Sequence, residues 1–546
     1  MQSTALPEPS GRLQVVLAAL GLSTICLAQM IEPLVRSNHH LVYHWSGRPS
    51  DLFGPPIVEL VVLFVLMTGV LLSAERRGLW RILVWTAVIL FMPWIVFHQV
   101  EVIWPGTLPH WFRLPPFALA LIVFPLVAWV SSRYASDQCE RVIEVTSTIL
   151  AFTALSSVLF VSQMLWFWWQ ARGLNATVVA HRTTELAGTS PKPRVIFILL
   201  DELSYQQLYE HRYPNLQLPQ FDALARESTV FTDVTATANY TEKAVPALLS
   251  GQPVEDMRGR SDGMLEVRSA KNAPWQLFDE RKTIFEDAID AGYNTTVVGW
   301  FNPYCRILPD VLNSCYWTDA YTISNGLDSD GSFRSNLIAS ADSLVHAPTV
   351  RHLLLRMLHV PESFGDTSLG KAHVDDFLHL RAAADKVLLD PSAGFTFIHM
   401  PIPHPYGIYN RATHQLTTQS STYIDNLALS DRYLGRVRGL LEKSGQWDSS
   451  TILVMGDHGW RTTLIWEGTL AWTAAEERAS LGGKFDERPA YIVKLAGQTS
   501  GTRIDVPFAA LRTRGLIDEV IAGKIQSPSD LKQWVEKSPA QYASLH

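Results

Sequence analysis

Five long apolar segments follow one another before residue 172, and they restrict the fold of this 546-residue chain more than any other feature. They cover roughly residues 13–34, 56–74, 79–98, 114–132 and 146–170. Each is close to the ~20 residues that a helix needs to cross a bilayer. Aromatic side chains near their ends fit the belts found at membrane–water interfaces: Tyr43, Trp80, Trp104, Trp111, Trp166, Trp168 and Trp169. A buried helical bundle would explain one such segment more easily than five, so we predict five membrane-spanning helices.

Basic residues in the short loops predict the orientation of these helices. One side of the predicted membrane holds Arg12, Arg76, Arg77, Arg81, Arg133 and Arg141. The other side holds Arg36, Arg48 and Arg113. Because basic loops stay in the cytoplasm, the amino terminus is expected inside and everything after about residue 175 outside. The sequence therefore predicts an integral protein of the plasma (inner) membrane whose carboxyl-terminal domain is extracytoplasmic.

The rest of the chain alternates between strand-like and helix-like segments. Continuous apolar runs at 194–200, 294–298, 395–399, 450–454 and 490–495 predict strands buried on both faces of a sheet. Helix-like stretches fall at 220–227, 283–291, 423–443 and 509–522. This alternation is typical of a doubly wound α/β domain. We therefore expect a transmembrane helical domain over residues 1–172, a linker over 173–193 and an α/β domain over 194–546.

Acidic and imidazole side chains directly follow two of the predicted strands. Asp201 and Glu202 end the first of these strands, and Asp457 and His458 follow a later one. Active sites of such sheets lie beyond the carboxyl ends of the strands, so the two pairs are expected to converge. Carboxylate and imidazole groups are ligands of divalent cations. Asp-His-Gly is also a common turn, so the second pair alone does not establish a metal site.

Thr241 lies in a polar loop that leads into an apolar segment ending at Gly251. Proline is tolerated in the first turn of a helix, so Pro246 predicts that the helix begins near residues 243–245. Thr241 then stands just before the positive end of the helix, where an anion is stabilised. A threonine at this place most often caps the helix. Its position alone is therefore compatible with a cap and with an anion-binding role.

From about Arg194 to Gly497 the sequence resembles the sulfatase and alkaline-phosphatase superfamily. Besides the strand that ends in Asp201 and Glu202, the matching motifs are LPQFDALARESTVFTD, the loop ending in PALLSG, TIFEDAIDAGYNTTVVGW, HMPIPHPY, YIDNLALSDRYLGRVRGLLEKSGQWDSSTILVMGDHGW and ERPAYIVKL. The resemblance implies a sulfatase-like α/β domain that holds one divalent metal ion. Zinc or manganese suits the residues, with calcium or magnesium as alternatives.

The resemblance also implies roles for individual residues. Thr241 matches the nucleophile, and the implied metal ligands are Asp201, Glu202, Thr241, Asp457 and His458. Either Asp201 or Glu202 fits the first ligand position. His399 and His404 match the histidine segment that contacts the transferred group or the leaving oxygen.

The identity of the nucleophile separates the branches of this superfamily. True sulfatases convert a Cys or Ser in a Cys/Ser-x-Pro/Ala-x-Arg motif to formylglycine, and this chain has neither that residue nor the Arg at the matching place. Thr241, five residues before Pro246, is instead similar to the nucleophile of the membrane phosphoethanolamine transferases. Lipoteichoic acid synthases also use Thr and carry five amino-terminal membrane helices.

These resemblances imply a membrane enzyme that transfers or hydrolyses a phospho-substituent through a covalent phosphothreonine. Its partners would be the lipid bilayer and a phospholipid or cell-envelope glycan substrate. Pro403-His404-Pro405-Tyr406 departs from the Ser-His-Gly-Pro type of segment in the transferases. A sulfuric ester hydrolase that works without formylglycine, and an inactive membrane scaffold, are therefore the alternatives.

Cysteines, lysines and net charge complete the expectations. Cys305 and Cys315 share a short segment of the exported part, which predicts a disulfide, with two unpaired buried thiols as the alternative. Lys243 and Lys484 are candidate anion contacts, although a solvated lysine is the simpler interpretation of both. A net charge of −7 and the lack of a basic cluster give no reason to expect a nucleic-acid partner.

Overall fold

The computed structural model describes residues 11–35, 43–45, 47–75, 78–89, 136–173, 192–320, 332–338, 367–460, 473–479 and 487–537. These residues divide into two compact units. The first unit takes its described residues from 11–35, 47–173 and 332–338, and the second takes them from 43–45, 192–320 and 367–537. The fourth predicted span, 114–132, and the second half of the third lie outside the described residues, so the number of spans stays a prediction.

The first unit is helical. Its longer helices are α1 (Arg12–Val35), α2 (Pro49–Ser73), α3 (Ser136–Thr153) and α4 (Leu155–Gln170), and a shorter helix covers Leu79–Ile89. Two helical stretches of the described part are long and apolar enough to cross a membrane. They are Pro49–Ser73, with a mean hydropathy of 2.3, and Asp137–Gln170, with 1.8. Of their most apolar windows, 22% and 28% are buried.

The second unit is built on an eight-stranded mixed sheet. Its strands are β1 (Val195–Leu200), β2 (Thr229–Phe231), β3 (Thr295–Trp300), β4 (Ser314–Thr318), β5 (Phe395–Met400), β6 (Thr451–Met455), β7 (Tyr491–Lys494) and β8 (Thr502–Ile504). Their order across the sheet is β8-β2-β7-β6-β1-β5-β3-β4. Neighbouring strands are parallel, except that β7 runs antiparallel to β6 and to β2. Shorter strands lie at Val234–Thr235, Asp256–Gly259, Leu265–Arg268, Gln276–Leu277, Gly407–Asn410, Gln415–Ser421 and Phe508–Ala509.

Helices cover both faces of this sheet. The longer ones are α5 (Pro219–Arg226), α6 (Thr241–Ser250), α7 (Ile284–Asp290), α8 (Thr367–Leu389), α9 (Tyr423–Lys443), α10 (Thr513–Ile521) and α11 (Pro528–Lys537), and short helices cover Tyr304–Ile307 and Ala474–Ala479. Side chains of β1 alternate between two core clusters, one shared with α6, α7, α10 and α11 and the other with α5, α8 and α9. Since all of β1 is buried, its continuous apolar sequence is explained. The predicted α/β domain is confirmed.

Tyr43 corrects one expectation from the sequence. It was predicted to be an aromatic residue of the membrane interface, but it is 0% exposed and belongs to a core cluster of the sheet unit. An aromatic ring with a polar hydroxyl suits both environments, and its position beside an apolar segment could not separate them.

The register of the central strands fixes where chemistry can occur. β1 lies between β6 and β5, and Leu199 of β1 is paired with Met455 on one side and with His399 on the other. The carboxyl ends of the three strands are therefore adjacent. Residues that follow β1 and β6 meet beside the end of β5, as the sequence predicted for Asp201 and Asp457.

The predicted disulfide between Cys305 and Cys315 is present. It joins the short helix Tyr304–Ile307 to β4, at the edge of the sheet. The alternative of two unpaired thiols is wrong. Such a bond is characteristic of proteins that fold in an oxidising compartment.

Replacing Cys315 by serine is expected to lower the free energy of unfolding of the sheet unit by about 2–4 kcal/mol, because the disulfide restricts the unfolded chain. Thermal unfolding of the full chain in detergent measures the change. Cys139→Ser is the control, since Cys139 is a free cysteine and its replacement should shift the midpoint little. Equal midpoints for both variants would show that the disulfide adds no stability.

Candidate metal and nucleophile site

Asp201 and Glu202 directly follow β1, and both are fully buried. Glu202 has a φ of +63°, in the left-handed region that residues other than glycine rarely adopt. Its N–H donates to Asp457 Oδ1 over 3.1 Å, and its carbonyl oxygen accepts from Tyr423 Oη over 2.7 Å. These two hydrogen bonds hold the strained residue in place. The turn therefore fixes both carboxyl groups at the end of the central strand.

Thr241 is the first residue of α6 and is 5% exposed. Its hydroxyl donates to Asp201 Oδ2 over 3.1 Å and lies 3.4 Å from His458 Nε2. The N-cap residue is Tyr240, which makes no capping hydrogen bond through its side chain. The interpretation of Thr241 as a helix cap is therefore wrong. Its hydroxyl faces a carboxylate and an imidazole.

The helix that carries Thr241 begins two to four residues earlier than predicted, and Pro246 lies in its second turn. The N–H groups of Lys243 and Ala244 donate to the carbonyl of Tyr240 over 3.0 and 2.8 Å. The first turn is thus closed before the proline. Pro246 removes the hydrogen bond that its own N–H would have donated and crowds the carbonyl four residues earlier, and packing of the buried helix offsets these costs.

Asp457 and His458 follow β6 and complete the cluster. His458 Nδ1 lies 3.0 Å from the carbonyl oxygen of Gly459, which can only accept, so Nδ1 carries a proton. In the neutral ring Nε2 then offers a lone pair, 3.2 Å from Asp457 Oδ2 and 3.4 Å from Thr241 Oγ1. A ring held by a hydrogen bond from its other nitrogen is the usual state of a metal-binding histidine.

The donor atoms of Asp201, Asp457 and His458 lie within 4.8 Å of one another, and all three residues are buried. The pKa of Asp457 is below its usual value. Burial raises this pKa, but the nearby His458 and His399 and the hydrogen bonds from Glu202 and Thr241 lower it by more. An ionised buried carboxylate needs a compensating positive charge. A divalent cation fits this donor set in charge and in ligand type.

Glu202 belongs to a different grouping from Asp457. Its carboxylate lies with Asp201 and His404 in a second buried set whose donor atoms are within 4.8 Å of one another. Asp201 is common to both sets and is the carboxylate that touches Thr241. Of the two candidates for the first ligand position, Asp201 therefore has the better geometry for a metal beside the threonine.

His399 lies in β5 and is fully buried. Its Nδ1 is 2.8 Å from Tyr304 Oη, and its Nε2 is 3.5 Å from Asp201 Oδ2. Burial lowers the pKa of His399 to about 4, so the ring is neutral at pH 7. The structure brings this histidine against Asp201 rather than against Thr241.

His404 packs in a group of aromatic rings around Trp300, the last residue of β3. The ring centres of Trp300 and His404 are 5.1 Å apart, and His373 stacks on Trp300 at 5.7 Å. Trp300 Nε1 donates to Asp376 Oδ2 over 3.0 Å, and Asp376 Oδ1 accepts from Thr318 and from the N–H of Ala320. Asp376 is thereby satisfied by hydrogen bonds and fixes the indole. His404 consequently has a rigid wall.

Little in the sequence indicates this group of rings around His404. Trp300 closes the motif TIFEDAIDAGYNTTVVGW, two residues after a predicted strand, and that position is its only signal. His373 and Asp376 lie on α8, where no pattern distinguished them. Lys243, a candidate anion contact, instead donates to the carbonyl of Glu255 over 3.0 Å. Lys484 lies outside the described residues.

Comparison with known proteins gives one family match. The sequence profile of the family described as Sulfatase matches residues 193–478, more than half of the chain. No curated protein sequence matches.

Among solved structures, the phosphonate monoester hydrolase of Agrobacterium radiobacter is 14% identical, with a TM-score of 0.37 over 61% of this chain and 74% of that chain. A sulfatase from Pseudoalteromonas sp. is 15% identical, with a TM-score of 0.39 over 61% and 68%. An alkaline-phosphatase-superfamily protein from Vibrio parahaemolyticus is 15% identical, with a TM-score of 0.35 over 66% and 72%. The family assignment rests on the sequence profile alone.

Proposed function

The chain belongs to the sulfatase family, and we propose that it is a membrane-anchored, metal-dependent enzyme that transfers or hydrolyses a phospho-substituent through a covalent phosphothreonine. The observation that carries this proposal is the contact of the Thr241 hydroxyl with Asp201 Oδ2, at 3.1 Å, inside a buried carboxylate and imidazole cluster. An alcohol needs such surroundings to act as a nucleophile. The same cluster argues against an inactive scaffold, because burying ionised carboxylates lowers the stability of the fold unless they bind a positive charge.

We assign Asp201, Asp457 and His458, beside Thr241, as the ligands of one divalent ion, zinc or manganese by donor type. When bound, that ion would supply positive charge that lowers the pKa of the Thr241 hydroxyl and neutralises the phosphoryl oxygens. Glu202 supports the arrangement through its N–H, which orients the carboxylate of Asp457 over 3.1 Å.

The chain's own residues would carry the reaction as follows. The hydroxyl of Thr241 gives up its proton along its hydrogen bond to Asp201, and its oxygen bonds to the phosphorus as the bond to the leaving alcohol breaks. His404 gives a proton to the leaving oxygen. An acceptor hydroxyl or water then attacks the phosphorus and gives its proton to His404, while the bond from phosphorus to Thr241 breaks and Asp201 returns its proton to the threonine oxygen. His399, whose pKa burial lowers to about 4, is poorly suited to donate a proton, so we assign it to holding Asp201.

The two apolar helical stretches support a membrane anchor, and we propose the full arrangement of five spans with the sheet unit on the extracytoplasmic side. The Cys305–Cys315 disulfide supports an oxidising compartment for that unit. A phospholipid headgroup would then be the accessible donor. The acceptor would be a cell-envelope glycan or water.

Intact-mass analysis of the purified full chain tests the proposed intermediate. The protein is incubated in vesicles of phosphatidylethanolamine and, in parallel, of phosphatidylglycerol, and the peptide that contains Thr241 is sequenced by fragmentation. We expect added phosphoethanolamine or phosphoglycerol on Thr241 in one of the two mixtures. Turnover of these lipids with the added mass on another residue would contradict the assignment of the nucleophile.

The segment Pro403-His404-Pro405-Tyr406 favours a second candidate, a sulfuric ester hydrolase without formylglycine, because it is closer to general sulfatase-like sequences than to the transferases. Rate measurements on the same purified chain separate the two candidates: hydrolysis of 4-nitrophenyl sulfate without any turnover of phospholipid or of bis(4-nitrophenyl) phosphate would favour this candidate over the first.

A further inference from the structure

Three residues that precede α2 in the sequence are built into the sheet unit. Tyr43, His44 and Trp45, called here the 43–45 segment, are at most 2% exposed and belong to the compact unit of the sheet. Arg306 donates to the carbonyl of Tyr43 over 2.8 Å and to that of Trp45 over 2.5 Å. Because Arg306 is itself buried, these are strong, water-excluded contacts.

His44 holds the same segment from the other side. Its Nδ1 lies 2.7 Å from Asp319 Oδ2 and 2.9 Å from the carbonyl oxygen of Phe301. The Phe301 oxygen can only accept, so Nδ1 carries a proton and donates it there, with the Asp319 carboxylate close beside it. The 43–45 segment is therefore held in the sheet unit by contacts of both its backbone and its side chains.

Hydrogen bonds and one longer contact lead from this segment to the candidate nucleophile site. Tyr43 Oη donates to Asn302 Oδ1 over 3.0 Å, and the carbonyl of Asn302 accepts from the N–H of Tyr304 over 2.8 Å. Tyr304 Oη lies 2.8 Å from His399 Nδ1. His399 Nε2 in turn lies 3.5 Å from Asp201, the residue that accepts from the candidate nucleophile.

Tyr304 has little freedom to move independently of this path. A Cβ atom added to Gly299 of β3 would lie 2.1 Å from the Tyr304 ring, so the ring packs directly on the strand backbone. Cys305, the next residue, is bound to Cys315. The place of the hydroxyl is thus set by β3, by the disulfide and by the hydrogen bond from the Tyr304 N–H to Asn302, a residue that is 0% exposed.

We propose that Tyr43 is a positioning residue of the active site, which holds Asn302 and Tyr304 and through them keeps the imidazole of His399 against Asp201. The proposal rests on the function proposed above for that site. Without the Tyr43 hydroxyl, the buried Asn302 oxygen loses its donor, and a buried polar group without a partner drives local rearrangement. This rearrangement would change the orientation of Asp201 and so lower the rate of the chemical step, while substrate binding would change little.

Kinetics of the full chain in detergent test this role, with bis(4-nitrophenyl) phosphate as the probe. Tyr43→Phe removes only the hydroxyl and is expected to lower kcat about tenfold with an unchanged KM, the loss expected for one buried hydrogen bond. The matched control is Tyr491→Phe, since Tyr491 is also 0% exposed and its hydroxyl bonds to Thr513 over 3.2 Å. We expect parent kcat and KM from this control, and similar unfolding midpoints for the two variants.

A double-mutant cycle separates positioning from general loss of stability. If Tyr43 acts through Tyr304, the variant with both Tyr43→Phe and Tyr304→Phe should be no slower than Tyr304→Phe alone. Parent kcat in Tyr43→Phe, or additive losses in the double variant, would overturn the proposal. Thr241→Ala is measured in the same assay, and its full activity would refute the proposed function whatever the Tyr43 variants show.

Discussion

Replacing Thr241 by alanine is expected to lower turnover of a phosphodiester by about a thousandfold or more, because the variant lacks the oxygen that forms the covalent intermediate. The fold should survive. The hydroxyl makes no capping bond to its helix, and alanine favours the helical conformation. Steady-state rates with bis(4-nitrophenyl) phosphate measure the loss, and circular dichroism with thermal unfolding checks the fold.

The chain offers a matched control for this variant. Thr237 lies four residues earlier in the same polar approach, and its hydroxyl donates to the carbonyl of Ala244 over 3.1 Å. Thr237→Ala should keep a rate within a few fold of the parent, whereas Thr241→Ser, which keeps a hydroxyl, should retain measurable turnover. A Thr241→Ala protein as active as Thr237→Ala would remove the threonine from the mechanism.

Removal of the metal is expected to have an effect of similar size. Dialysis against a chelator should abolish turnover, and zinc or manganese should restore it, since the buried carboxylates of Asp201 and Asp457 need a cation to hold the site together. Asp457→Asn should lose the bound metal even in excess zinc, because the amide keeps the shape of the side chain but not its charge. Elemental analysis of the purified chain measures the metal directly.

Asp256→Asn is the control for that substitution. Asp256 pairs with Arg268 over 2.6 Å on a small outer sheet, where a lost charge should leave the metal content unchanged. The metal assignment is wrong if the parent chain, purified without chelators, contains no divalent ion and still turns over the phosphodiester.

The parts of the site that could be predicted are those where local sequence and chemistry coincide. β1 and β6 are apolar runs, followed directly by Asp201 and after one glycine by Asp457, so the strands and the ligands were visible together. The start of α6 could not be predicted, because Pro246 indicates a later start. Only the hydrogen bonds to the Tyr240 carbonyl show how the first turn closes. Likewise, the choice between Asp201 and Glu202 depends on which carboxylate faces α6, a matter of three-dimensional packing.

The wall around His404 could not be predicted for a different reason. Trp300 and Asp376 are separated by more than seventy residues and meet only because α8 packs on β3. A buried aspartate on a helix gives no periodic signal of its partner. Tyr43 is the extreme case, since its hydroxyl finds Asn302 across 259 positions of the chain.

The 43–45 segment means that the sheet unit is not a domain in the usual linear sense. A fragment cut at the predicted linker would begin after residue 173 and would leave behind a tyrosine and a tryptophan that are 0% and 1% exposed in that unit. A fragment released by a protease would therefore have a cavity in its core where these two side chains pack. Any attempt to study the sheet unit alone has to bring this tripeptide back as a separate piece.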